Sequence, residues 1–176
     1  MSQSLRVASY NIHKGLSFFN GRMVVHELRD RLASLNVDLV FLQEVVGEHT
    51  GHAGRFEAWP AKPQHEFLAD QLWTDFAYGK NAVYDHGHHG NAILSRYPIV
   101  RWDNLDISAH LFESRGLLHC EIAVPGLDQH LHAICLHLAL TEAGRRRQLR
   151  VVSERIQALV PADAPLIIAG DFNDWR

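Results

Sequence analysis

Three times in this chain a short apolar run ends in an acid or an amide, and that repetition leaves few architectures open. Leu166-Ile167-Ile168-Ala169 leads into Gly170-Asp171-Phe172-Asn173, with Asp174-Trp175-Arg176 behind it. Leu5 to Ile12 carries Asn11 near its end, and Val37 to Phe41 is followed by Gln43-Glu44. Each run reads as a strand, the last of them buried. Three strand ends therefore offer oxygen ligands.

Helical spacing fills the intervals. After Asn20-Gly21, the segment Arg22 to Leu35 sets Val24 or Val25, Leu28, Leu32 and Leu35 on one face, and Pro63 to Trp73 turns Phe67, Leu68 and Leu72 inward. Both are expected to cover a sheet. Thr141 is placed to cap the longest helix, whose Leu149, Val152, Ile156 and Leu159 form a stripe before Pro161. Its opposite face carries Arg145, Arg146, Arg150 and Arg155, a pattern read as a solvated face ahead of a nucleic-acid or acidic-lipid contact.

Leu117 to Val124 and His130 to Leu138 read as a hairpin joined through Pro125-Gly126, which brings Cys120 near Cys135. Two buried thiols are favoured over a disulfide. Gly47 to Pro63 and Asn81 to Asn91, rich in Gly and His, read as long loops beside the ligand-bearing strand ends. Substrate selection is expected there.

With 176 residues and 47% hydrophobic content, the chain suits one domain over residues 1–176 with a sizeable core. No apolar run approaches the roughly 20 residues of a membrane span, so no integral membrane association is expected. Met1-Ser2-Gln3-Ser4 lacks the charged and apolar regions of a signal peptide, and a cytoplasmic location is the expectation. A formal charge of -3 argues against a coat of positive charge for indiscriminate nucleic-acid binding, while leaving a local basic cleft open. The 13 histidines make that charge sensitive to pH near 6.5.

Taken together, Ser9-Tyr10-Asn11-Ile12, Gln43-Glu44-Val45, His137 in Leu136-His137-Leu138, and Gly170-Asp171-Phe172-Asn173 resemble the endonuclease/exonuclease/phosphatase superfamily of magnesium-dependent phosphoesterases. Gly90-Asn91-Ala92-Ile93-Leu94-Ser95-Arg96-Tyr97-Pro98-Ile99 also looks like the middle of its small stand-alone bacterial members. The resemblance implies an α/β fold, a four-layer α/β/β/α sandwich of two mixed sheets flanked by helices. It further implies hydrolysis of a phosphate ester by in-line attack of water, assisted by Mg2+ or, alternatively, Mn2+. Phosphodiesterase, nuclease and phosphatase all fall within that class. The implied partners are correspondingly a nucleic acid, a phospholipid head group or a small molecule, with a slight tilt from net charge toward a non-nucleic-acid ester.

Carried over residue by residue, the resemblance makes Glu44 the main metal ligand with Asn11 beside it, directly or through water. Asp171 and Asn173 match the pair that orients and deprotonates the attacking water, or, in two-metal descriptions, Asp171 holds a second cation. His137 matches a histidine that hydrogen-bonds a nonbridging phosphoryl oxygen, and Arg115 matches a phosphate-contacting arginine more loosely. The chemistry is coherent, because hard oxygens suit magnesium and a negatively charged target needs its charge neutralised. Asp85-His86-Gly87-His88-His89 invites a separate reading as a transition-metal site, and is taken instead as a mobile active-site loop.

One departure matters. Family domains continue past the Gly-Asp-Phe-Asn motif to a Ser-Asp-His motif, which does not follow here, so the expectation is a truncated, catalytically impaired domain with an uncovered last strand able to self-associate through its edge. A noncatalytic binding or regulatory module on the same scaffold is the alternative.

Overall fold

The computed structural model describes residues 4–17, 19, 21–70, 72–110 and 113–174. Asn20 and the final pair Trp175-Arg176, both cited above, lie outside them. The strands are β1 (Val7–Asn11), β2 (Leu39–His49), β3 (Asp75–Tyr84), β4 (Gly87–Ser95), β5 (Ile99–Asp106), β6 (Gly116–Ile122), β7 (Leu131–His137) and β8 (Leu166–Asp171). The helices are α1 (Val25–Ser34), α2 (Thr50–Arg55), α3 (Gln64–Ala69) and α4 (Glu142–Leu159). Two mixed four-stranded sheets result, ordered β1-β2-β4-β3 and β5-β6-β7-β8.

Period-2 alternation explains the layering. In β2, Leu39 and Phe41 face the second sheet, where they pack with Ile93, Leu118, Cys120, Ala133 and Cys135. Val40 and Leu42 point the other way, toward Val25, Leu28 and Leu32 of α1 and Leu68 of α3. On the far side, Leu117, Ile134 and Leu136 meet Val152 and Ile156 of α4. The expected four layers, helix on sheet on sheet on helix, are therefore present.

Several expectations need correction. Leu35, Leu72, Leu149 and Leu159, assigned to apolar stripes, are exposed. α4 instead buries Gly144, Gln148 and Val152, with the Gln148 amide accepting from Ala139 N at 2.8 Å. A buried polar residue thus replaces an apolar one on the inner face. Of the four α4 arginines, Arg146 and Arg150 lie on a solvated face, Arg146 pairing with Glu142 at 2.6 Å, whereas Arg145 and Arg155 are largely covered and pair with Asp174 at 3.2 Å and with Asp103. Thr141 does cap the helix, accepting from Gly144 N at 3.2 Å.

The two presumed loops are largely ordered elements. β2 runs on to His49 and α2 follows, while 81–91 is the β3–β4 hairpin, closed by a turn at Asp85-His86. Glycine-rich composition misleads here because Gly47 serves a close approach: a Cβ there would lie 2.1 Å from the His88 ring. The histidine cluster is consequently divided. His86 sits in the turn, whereas His88 and His89 are successive residues of β4, His88 bonded to the Tyr78 hydroxyl at 2.9 Å and His89 near Tyr84 at 3.4 Å. Cys120 opposes Ala133 and Cys135 opposes Leu118, and both thiols are free and buried as expected.

Burial also sets an acid limit. His119 Nε2 lies 2.9 Å from His132 Nδ1 beneath α4, and burial, with His132 next, brings His119 down to about 4. Burial and then His88 bring His65 to about 4 as well. The folded chain holds these rings neutral while the unfolded chain takes up protons below about pH 6.5, so stability is complete above that pH and falls between about 6.5 and 4. Each ring is expected to remove about 2–3 kcal/mol over that window. A His119→Gln variant should show a shallower decline of melting temperature with acidity, and identical slopes would refute the assignment.

Candidate functional site

The parallel pairs β1/β2 and β7/β8 bring their polar ends together. Asn11 is in register with Gln43, and His137 with Asp171. From β1, the Asn11 amide donates to Glu44 Oε1 at 3.1 Å and to Asp171 Oδ2 at 3.0 Å, joining the first sheet to the second. His137 Nε2 lies 4.0 Å from the same Asp171 oxygen, and His13 Nδ1 lies 3.6 Å from Glu44 Oε2. Asn11 Oδ1 meanwhile accepts from His13 N at 3.0 Å. Four of the residues singled out by sequence thus converge.

Glu44 does not follow the end of its strand. It occupies a register shift inside β2, between Leu42 and Val45, with φ 56. A bulge breaks the two-residue alternation and re-aims one side chain, at a backbone cost of order 1–3 kcal/mol for a non-glycine residue in the left-handed region. Its neighbour Gln43 goes inward instead, donating to Cys135 Sγ at 3.2 Å. The thiol, pushed up to about 12 by burial, remains protonated at neutral pH.

Asp171 uses its two oxygens differently. Oδ1 accepts from Asn173 N at 3.0 Å, an Asx turn, which leaves Oδ2 directed at Asn11. Asn173 has φ 49 and its buried amide donates to Leu138 O at 2.8 Å. The turn is what orients the acid.

Arg115 stands just ahead of β6, its side chain 17% exposed and its guanidinium 3.7 Å from Glu113 Oε1. Arg115 Nε is buried with no hydrogen-bond partner, so this donor is poised for an acceptor. Burial first, then Arg115, lowers the pKa of His137, and burial followed by Lys14 takes His89 to about 4. Both rings are neutral near pH 7.

Two asparagines to which the sequence reading gave no role grip the backbone of Gly116, next to Arg115. Asn91 Nδ2 donates to Gly116 O at 2.9 Å, and Asn81, with its amide oriented by its neighbours, accepts from Gly116 N at 2.7 Å. Asn91 stood in the 90–99 stretch that carried the resemblance, without a role of its own, and Asn81 only bounded a presumed loop. His49 and His89, within segments the sequence placed beside the ligand-bearing strand ends, line a recess with Lys14, which carried no signal.

Among the described residues, no three His, Cys, Asp or Glu side chains gather as a metal cage. The two carboxylates Glu44 and Asp171, held side by side by the Asn11 N–H2 in a half-buried position, are instead the sparse hard-oxygen pair that suits a hydrated divalent cation such as Mg2+ or Mn2+.

A model of the Endonuclease/Exonuclease/phosphatase family matches residues 8–176. The uncharacterized protein YbhP of Escherichia coli (strain K12) is 49% identical over 173 residues, 98% of this chain and 68% of that protein. An endonuclease/exonuclease/phosphatase from Beutenbergia cavernae DSM 12333 superposes with a TM-score of 0.75 at 23% identity, covering 97% of this chain and 48% of that one. Humanized D. rerio TDP2 gives 0.68 at 25% identity, covering 98% and 63%. The chain therefore spans about half of the first structure and under two thirds of the second. Mannosyl-6-phosphatase Bt3783 of Bacteroides thetaiotaomicron gives 0.69 at 17% identity, covering 97% and 66%, a likeness of fold.

The asparagine clasp is testable. A Cβ on Gly116 would lie 1.3 Å from the Asn81 amide, so Gly116→Ala is expected to destabilise by about 1–3 kcal/mol in denaturant titration. Combining it with Asn81→Ala should cost less than the two single deficits added together. Strict additivity would mean that the two groups do not meet.

Proposed function

The chain belongs to the endonuclease/exonuclease/phosphatase family, and we propose that it hydrolyses a phosphate ester by metal-assisted, in-line attack of water. The observation that carries this reading is the Asn11 amide shared by Glu44 and Asp171 at 3.1 and 3.0 Å, with His137 beside them. Glu44 and Asp171 would hold Mg2+ or Mn2+, with Asn11 bridging the two carboxylates and reaching the ion through water, and the bound ion would neutralise charge on the phosphoryl and leaving oxygens.

The chain's own groups supply the rest. Asp171 accepts the proton of the attacking water, and Asn173 fixes that carboxylate through its backbone N–H. His137, kept neutral by burial, donates a hydrogen bond to a nonbridging oxygen rather than titrating with it. Arg115 offers a second donor to the same oxygens, aimed by the Gly116 clasp. Ion pairs engage Arg145, Arg146 and Arg155 of α4 while Arg150 stays exposed, so it is the net charge of -3 that tilts the reading toward an ester outside nucleic acid.

Hydrolysis of bis(p-nitrophenyl) phosphate and p-nitrophenyl phosphate by the full-length protein, titrated with magnesium, tests the reading. Asp171→Asn should lower turnover by at least about a hundredfold, and Glu44→Gln should raise the magnesium concentration that gives half-maximal rate. Turnover that ignores chelation, or a Glu44→Gln enzyme equal to the parent, would defeat it.

A further inference from the structure

Beside the proposed reaction centre lies a recess of about 290 Å3, between the His13–Gly15 turn and the arm made by β2, β3 and β4. Lys14, Val46, His49, Tyr84, His88 and His89 line it. The recess adjoins the carboxylates, because His13, next to Lys14 in the turn, lies 3.6 Å from Glu44 Oε2, and His89 lines the recess within reach of the charges of Lys14 and Glu44. A group bound in the recess would therefore adjoin one held beside Glu44.

Lys14 is held there at a backbone cost. His13, Lys14 and Gly15 have φ 46, 60 and 72, three successive residues in the left-handed region, which non-glycine residues avoid. Gln64, 1% exposed, fastens the turn: its Nε2 donates to Lys14 O at 2.8 Å while its Oε1 accepts from Val46 N at 2.9 Å. A buried amide thus ties the lysine's backbone to the wall of the recess. Among the described residues no carboxylate forms an ion pair with Lys14, since Glu44 is directed at Asn11 and His13. Glu48 and Lys80 both act on His88 and offset one another.

We propose that this recess is an anion subsite, and that the substrate is a phosphate ester whose organic part carries a second negative group, phosphate or carboxylate, held by Lys14. The inference rests on the phosphoesterase reading and specifies its substrate class. Lys14 contributes the fixed charge, and the Tyr84 hydroxyl and the His88 and His89 imidazoles contribute hydrogen bonds. A charge-assisted contact of this kind holds the second anion, while the reacting phosphoryl group sits at His137 and Arg115.

The test compares calorimetric binding of glycerol 3-phosphate, 3-phosphoglycerate and 2,3-bisphosphoglycerate to the full-length protein at one fixed free magnesium concentration. The two ligands with an extra anion should bind about tenfold tighter than glycerol 3-phosphate, and the larger preference identifies carboxylate or phosphate as the natural group. Lys14→Met should erase the preference while leaving glycerol 3-phosphate binding unchanged, and Lys14→Arg should retain it. Equal affinities in the parent, no measurable binding, or a uniform loss in Lys14→Met would each overturn the subsite. Turnover of bis(p-nitrophenyl) phosphate measured alongside separates the two ideas: turnover without a preference removes only the subsite, and absence of turnover removes the phosphoesterase reading beneath it.

Discussion

The Asn11 amide, shared between Glu44 of one sheet and Asp171 of the other, joins residues 33 and 160 positions further along the chain. Everything proposed for this chain requires that juxtaposition, and it follows from strand direction. β1 pairs parallel with β2 and β7 pairs parallel with β8, so each pair presents like ends at the same edge of its sheet. A one-residue slip in either register would turn Asn11 or Asp171 to the opposite face. The buried alternation of β2 and β7 against both neighbouring layers is what forbids the slip, because every shifted position would bring an apolar side chain out of its layer.

Regular pairing alone could not complete the site. A strand that alternates strictly would send Glu44 inward or outward with its neighbours, and the bulge between Leu42 and Val45 removes that restriction. Of the seven described non-glycine residues with positive φ, four are His13, Lys14, Glu44 and Asn173. Backbone strain is therefore concentrated around the carboxylates. The surrounding structure over-determines it through Gln64, the Asx turn at Asp171, and the Asn173 contact with Leu138. Rigid support of this type fixes a few polar groups within a frame whose core is otherwise apolar.

The frame was legible in the sequence because apolar periodicity reports burial directly. β1, β7 and β8, the inward faces of α1, and the four-layer arrangement implied by resemblance all appear in the structure. Glu44, Asn11, His137 and Asp171 could be singled out because each adjoins such a run. What could not be read depends on contacts between distant segments. Gln148 is fully buried because it satisfies Ala139 N and meets Glu113, a partnership that no helical stripe encodes. The β3–β4 hairpin resembled a loop because Gly87 and Gly90 make room for the Glu48 carbonyl and for Gly79 and Asn81, and composition records only the missing side chains. Lys14 gave no sign, since its importance comes from a strained turn and from Gln64, 50 residues away.

Charge supplies an argument for a cation that is independent of resemblance. Glu44 and Asp171 place two carboxylates on one amide, while Arg115 already shares its charge with Glu113 at 3.7 Å. His137 and His89 add nothing near neutrality, because burial lowers the pKa of each. The local balance around Asn11 is therefore negative, and a phosphate ester brought to His137 and Arg115 would meet repulsion at short range, where a partly buried site screens it poorly. Protonating the histidines would relieve this only at pH values where the buried His65 and His119 already weaken the fold. A divalent cation held by the two carboxylates reverses the sign without that penalty, and it does so beside the oxygens that would need neutralising. An arrangement that held such a cation would thus prepare the site for an anion, and Lys14 would extend the region of favourable potential away from it toward the recess.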